Sequence, residues 1–197
     1  MALAPLATVA DLTARGVTVE AAETALAEVY LEVASTAVRE AAGTPISQTT
    51  STLALEGEAG QWLTLPGGPV TAVDQVTIDG ETVTGWRLLS GRLWRSSGWS
   101  RSAEPAAVHV TYTHGLPAVP ADIVDLVCRI AVAALVAYRA EDDGTGLAAR
   151  DVRSERIGDY AVTYGDDGRI TEMELPAYLR ERLAARFGGG AGLVTSR

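Results

Sequence analysis

Two histidines, a single cysteine and two Asp-Asp-Gly runs are the residues of this 197-residue chain with the most obvious chemical potential. His109 and His114 stand five apart. In a strand that odd spacing sends them to opposite faces, so they share a metal only if the chain bends between them. They read as one outward sheet histidine and one turn histidine. Asp142-Asp143-Gly144 and Asp166-Asp167-Gly168 resemble fragments of calcium loops. Neither has the alternating ligands and closing Glu of an EF-hand, and Asp-Gly is ordinary turn chemistry. Cys128 lies in the most apolar stretch, where a thiol is packing material. Arg129 beside it could lower its pKa, but no second catalytic group is near in sequence.

All 16 basic residues are Arg, which removes every lysine chemistry, including Schiff bases and the phosphate-binding lysine of a P-loop. One cysteine excludes a disulfide framework within the chain and a Cys-based zinc cluster. There is no G-x-S-x-G, and the glycines from Gly188 to Gly192 are followed by neither Lys nor a helix. On these grounds no catalytic, cofactor-binding or metal-ligating residue is assigned, and no cofactor is expected.

Four tryptophans, Trp62, Trp86, Trp94 and Trp99, fall in one region, with Arg87, Arg92, Arg95 and Arg101 interleaved among the last three. Three uses are open: stacking of single-stranded bases, a protein interface, and plain core volume in a small sheet. The net charge of −9 disfavours extended phosphate binding, which needs clustered cations. Charge is uneven along the chain. Beyond Pro176 only Glu181 opposes Arg180, Arg182, Arg186 and Arg197. That basic end either complements a helix dipole or docks on an acidic partner.

The elements that must position these residues follow from periodicity. Thr8 and Asp11 form a capping pattern for a short helix stopped by Gly16. Thr18 can cap a longer helix whose apolar stripe is Val19, Ala22, Leu26, Val29 and Val33, ending at Gly43 and Pro45. From 46 to 115 the texture is β. Thr49–Leu55 suits an edge strand, Asp79-Gly80 and Ser90-Gly91 suit hairpin turns, and Val108, Val110 and Tyr112 alternate cleanly. Pro120 sits at the first turn of a helix that is apolar on most faces from Ile123 to Arg139, and so predicted to be buried all round. A polar linker covers 141–146, residues 152–164 read as extended, and Pro176 opens a last helix with Leu179, Leu183 and Phe187 on one face.

The expected fold is thus α+β. A helical bundle core (long N-terminal helix, buried central helix, C-terminal helix) takes residues 1–45 and 116–187. A small antiparallel β-barrel or sandwich-like module is inserted at 46–115, and a flexible Gly-rich tail occupies 188–197. The run Met1–Val9 lacks a basic n-region, and the apolar run Ile123–Tyr138 contains Asp125 and Arg129 and falls short of a span of about 20 residues. No membrane partner is expected, and the chain reads as soluble and intracellular.

Three ordered blocks carry a resemblance. They are Leu65-Pro66-Gly67-Gly68-Pro69-Val70-Thr71-Ala72-Val73 with Val76-Thr77-Ile78-Asp79-Gly80, then Val108-His109-Val110-Thr111-Tyr112-Thr113-His114-Gly115 leading to Val119-Pro120-Ala121-Asp122-Ile123, then Ser154-Glu155-Arg156-Ile157-Gly158-Asp159-Tyr160-Ala161-Val162-Thr163-Tyr164. Together they resemble the head–tail connector (adaptor) proteins of tailed bacteriophages. The resemblance implies a non-enzymatic virion component of the neck, made in the host cytoplasm. It would be a homo-oligomer, typically a dodecameric ring, that sits below the portal protein and extends the DNA channel. It would pass double-stranded DNA without specific binding and dock a stopper or tail-terminator protein. Arg150, Arg153 and Arg156 could pair acids across subunit joints, and Arg180, Arg182 and Arg186 belong to a basic end suited to a partner. The alternatives are a tail-completion or stopper protein of a phage or phage-derived particle and, from another class, a small hydrolase or carbohydrate-binding module.

Overall fold

The computed structural model describes residues 3–100, 104–140, 154–157, 160–163 and 175–188. The chain divides into two compact units, Met1–Ala41 with Pro120–Arg182, and Ala42–Val119 with Leu183–Arg197.

In the first unit, α1 (Val9–Ala14) starts on the expected capping box. The Thr8 amide donates to Asp11 Oδ2 at 2.8 Å, and the Asp11 amide donates to Thr8 Oγ1 at 3.3 Å. A 3-10 turn at Ala21–Glu23 leads into α2 (Thr24–Ala42), and α3 covers Ala121–Ala140. Strands β8 (Ser154–Ile157) and β9 (Tyr160–Thr163) pair antiparallel.

The buried positions of α2 are Ala27, Leu31, Ala34, Ser35, Val38 and Ala42. They recur at helical spacing, but they are not the expected stripe: Val29 and Val33 are 52% and 45% exposed. Sequence hydropathy favoured the valines because alanine scores weakly. The buried stripe instead mixes Leu31 and Val38 with the small residues Ala27, Ala34, Ser35 and Ala42. The central helix also departs from expectation. Ile123, Val127, Cys128, Ile130, Ala131 and Leu135 are buried, whereas Asp122, Arg129, Ala133 and Val136 are exposed. α3 is amphipathic rather than buried all round.

The second unit contains β1 (Thr49–Gly57), β2 (Trp62–Thr64), β3 (Val70–Ile78), β4 (Glu81–Thr82), β5 (Trp86–Leu89), β6 (Arg92–Arg95) and β7 (Ala106–His114). They form a four-stranded sheet in the order β1-β7-β3-β4 and a three-stranded sheet in the order β2-β6-β5, with antiparallel pairing throughout. β1 is an edge strand as expected. Both hairpin turns have positive φ at their two central residues, Asp79 and Gly80, then Ser90 and Gly91. This is the backbone that a tight two-residue hairpin demands. One cluster joins the inner faces: Leu63, Leu65, Val76, Ile78, Val83, Leu93, Trp99, Val108, Val110 and Tyr112 are all under 9% exposed. On the outer face of β1 and β7 a threonine ladder runs instead, Thr50 to Thr113 at 3.0 Å and Thr52 to Thr111 at 2.9 Å.

These observations overturn the expectation of a helical bundle core carrying a small β insertion. The molecule is α+β, but the strands build a core of their own from two facing sheets, and the β part is a compact unit in its own right. The physical reason is area. Two sheets, each with an apolar face, bury large alternating side chains that need no helix to cover them. α4 (Ala177–Phe187) follows Pro176 and buries Leu183. No helix among the described residues is long and apolar enough to cross a membrane.

Candidate functional site

The first two of the blocks singled out in the sequence meet at the end of β7. The chain leaves β2 through Leu65-Pro66-Gly67-Gly68-Pro69, with a cis peptide bond between Gly68 and Pro69. The Tyr112 hydroxyl donates to the Pro66 carbonyl at 2.9 Å. His114 Nδ1 lies 2.8 Å from the Gly67 carbonyl, and Nε2 lies 2.9 Å from Ser51 Oγ. A carbonyl can only accept, so Nδ1 carries the proton; in the neutral ring Nε2 then accepts from the Ser51 hydroxyl. The two rings stack, 4.7 Å between centroids. Burial pushes the Tyr112 phenol up from its ordinary pKa. Gly67 has φ +75, and a Cβ there would stand 2.7 Å from His114 Nδ1, so only glycine fits beneath the imidazole. The Gly115 amide closes the ring of contacts by donating to the Pro69 carbonyl at 3.0 Å. His114 is therefore a buried strand-end residue pinning a turn, not a free turn histidine, while His109 points outward.

The tryptophans divide between two uses. Trp99 is 1% exposed and donates from Nε1 to the Gln61 carbonyl at 3.0 Å. Trp86 packs against the same core and donates to the Val83 carbonyl at 3.2 Å. Trp62 and Trp94 face the other way. In the three-stranded sheet Trp62 is paired with Trp94 and Trp94 with Arg87; Thr64 is paired with Arg92 and Arg92 with Leu89. Directly paired residues share a face, so these six side chains form the outer surface of that sheet. Trp62 is 46% and Leu89 45% exposed, and the Arg92 guanidinium sits 5.0 Å from the Trp62 ring centroid. Arg95 is on the inner face and donates to the Gly98 carbonyl at 2.7 Å.

Cys128 is buried, and burial pushes its thiol up rather than toward a reactive thiolate. Arg129 turns away to Asp125, with Nε at 2.7 Å from Oδ2, and Arg15 reaches the other oxygen at 3.1 Å. Hydrogen bonds from Arg129 and then Arg15 hold the Asp125 carboxyl below its usual range. Arg139 grips Glu23 with two nitrogens, at 2.8 Å and 2.5 Å, and donates to the Thr18 carbonyl at 2.7 Å. The Glu23 pKa falls to about 2, chiefly through the hydrogen bonds from Arg139. Among the described residues no three His, Cys, Asp or Glu side chains gather as a metal site would require.

Of the arginines expected at joints, Arg150 and Arg153 lie outside the described residues, as do both Asp-Asp-Gly runs. Arg156 is in β8 opposite Ala161. Arg180, Arg182 and Arg186 are exposed on α4. Arg182 and Arg186 are one turn apart and share a face, and Arg180 lies on another. Arg186 covers the Phe187 ring at 4.8 Å. Sequence reasoning missed the outer sheet face as a unit. The signal was present in the alternation Arg92-Leu93-Trp94-Arg95, which puts Arg92 and Trp94 on one side and Leu93 on the other.

No protein-family model matches this sequence, and no curated protein does. Among solved structures the chain is similar to one described as "Neck of empty GTA particle computed with C6 symmetry". The TM-score is 0.53 at 24% identity, covering 68% of this chain and 78% of that one. The likeness establishes a shared fold.

Proposed function

We propose that this chain is a structural, non-catalytic component of the neck of a phage-like particle. The observation that carries the reading is the fold shared with a neck chain over 68% of the present chain. The three ordered blocks resembling phage connectors support it, because two of them pack into one turn-and-strand unit around His114. In the finer form of the proposal the chain is a head-to-tail adaptor. Copies close into a ring, typically dodecameric, beneath the portal protein, extend the DNA channel, and offer a surface to a stopper or tail-terminator protein. Identical head-to-tail contacts close into a ring when the rotation allows. An acidic chain with a net charge of −9 suits a conduit that must let phosphates pass without holding them. Arg150, Arg153 and Arg156 at subunit joints, and Arg180, Arg182 and Arg186 toward a partner, complete it.

The test is electron cryo-microscopy of particles from cells that make the chain, with the chain fused to a density tag. A symmetric collar of tag density between capsid vertex and tail is expected. Particles that lack the chain, or carry it elsewhere, would overturn the reading.

A further inference from the structure

Two exposed faces, one in each unit, have complementary chemistry. On α2, Glu28, Val29, Glu32 and Val33 are adjacent and exposed. Val29 and Val33 are large apolar side chains left in water at 52% and 45% exposure. Within α2 the one arginine, Arg39, donates elsewhere, to the Ala4 carbonyl. On the outer face of the three-stranded sheet, Trp62, Trp94 and Leu89 are accompanied by Arg87 and Arg92 with no acid among the paired positions. Among the described residues no carboxylate pairs with Arg87 or Arg92, and no cation with Glu28 or Glu32.

The dimensions agree. Glu28 and Glu32 are neighbours on one helix face, about 6 Å apart. Arg87 and Arg92 are diagonal neighbours on adjacent strands, about 7–8 Å apart. Three strands span about 10 Å, the width of one helix. Aromatic residues and Arg are the residue types that anchor interfaces.

We infer that the α2 face of one copy docks on the β2-β6-β5 face of the next copy. Val29 and Val33 lie against Trp94 and Leu89, and Glu28 and Glu32 face Arg92 and Arg87. The contact is heterologous, two different patches of the same chain, so it propagates from copy to copy. It rests on the ring reading above and names the surfaces that would make the ring. Opposite charge selects this partner because copies of a chain carrying −9 otherwise repel one another.

The experiment uses the full chain with Val33→Cys and Leu89→Cys, oxidised in particles purified from the producing cells. A disulfide-linked ladder of multimers is expected, absent when either change is made alone beside the buried native Cys128. Separately, Arg87→Glu with Arg92→Glu, and Glu28→Arg with Glu32→Arg, should each cut incorporation into particles at least about tenfold. The four changes together should restore it. Circular dichroism and Tm of the purified variants should match the unmodified chain. A chain present in the neck without cross-links, or charge-reversed variants incorporated normally, overturns this interface and leaves the neck reading standing. A chain absent from particles overturns both.

Discussion

In the β unit the buried side chains are large and alternate along each strand: Val108, Val110 and Tyr112 inward, His109 and Thr111 outward. In the helical unit half of the buried α2 positions are alanines, Ala27, Ala34 and Ala42, and two valines on the same helix stay in water. The difference is one of degeneracy. A strand has two faces, so a single alternating run decides which is buried. A helix has a continuous circumference, and α2 carries two stripes at helical spacing. Only the packing partner chooses between them. In the β unit large side chains fill the core, whereas on α2 Leu31 and Val38 are buried among smaller residues.

Substitutions can break that comparison. The largest effect is expected at Trp99→Ala, which removes a fully buried ring and its bond to the Gln61 carbonyl; denaturant unfolding should show a loss of about 3–5 kcal/mol. Next comes a paired test of the α2 phase. Leu31→Ala should cost about 2–5 kcal/mol, whereas Val29→Ala and Val33→Ala should each stay within about 0.5 kcal/mol for the isolated chain. Equal losses at Leu31 and Val29 would show that the buried stripe has been misassigned. Gly67→Ala should lower stability by about 1–3 kcal/mol, since it forces a Cβ at positive φ against His114. His114→Ala in the same background should recover part of that loss by removing the steric conflict.

A smaller effect concerns acid. Glu23 has a folded-state pKa of about 2 against an ordinary value of 4.5. Its contribution to folding is therefore present above about 4.5 and lost as pH falls through about 2. Tm of the unmodified chain should drop over that window, and Glu23→Gln should show a shallower drop, having no charge to lose. A small change is also expected at Arg92→Ala, which removes the cation over Trp62. A loss of about 0.5–1 kcal/mol in thermal unfolding checks it.

Much of the β unit was legible in the residues. The Asp79-Gly80 and Ser90-Gly91 turns, the edge position of β1 and the alternation of β7 all follow from local rules. The capping box at Thr8 and Asp11 was legible for the same reason, because both bonds close within one turn of chain. The role of His114 was not. Its partners, Gly67 and Ser51, lie 47 and 63 residues away in sequence, and no local pattern announces them. The division of the tryptophans was half legible: alternation separates Trp94 from Leu93, but nothing local says that Trp99 is core and Trp62 is surface.

The amino-acid sequence by itself determined where the hairpin turns, the alternating strands and the start of α1 fall, since those depend on side-chain period, φ preference and bonds within a few residues. It did not place the start of α2, which begins at Thr24 after a 3-10 turn rather than at a cap on Thr18. The sequence also set the chain's acidity and removed lysine chemistry and any disulfide within the chain. Tertiary structure decided that the strands close a core of their own, that the stripe of Ala27, Leu31, Ala34 and Val38 rather than that of Val29 and Val33 faces inward on α2, and that Trp62, Trp94, Arg87 and Arg92 come together on one outer face. Each of those outcomes depends on what lies across the gap from a residue, and burial energy is a property of both sides of a contact.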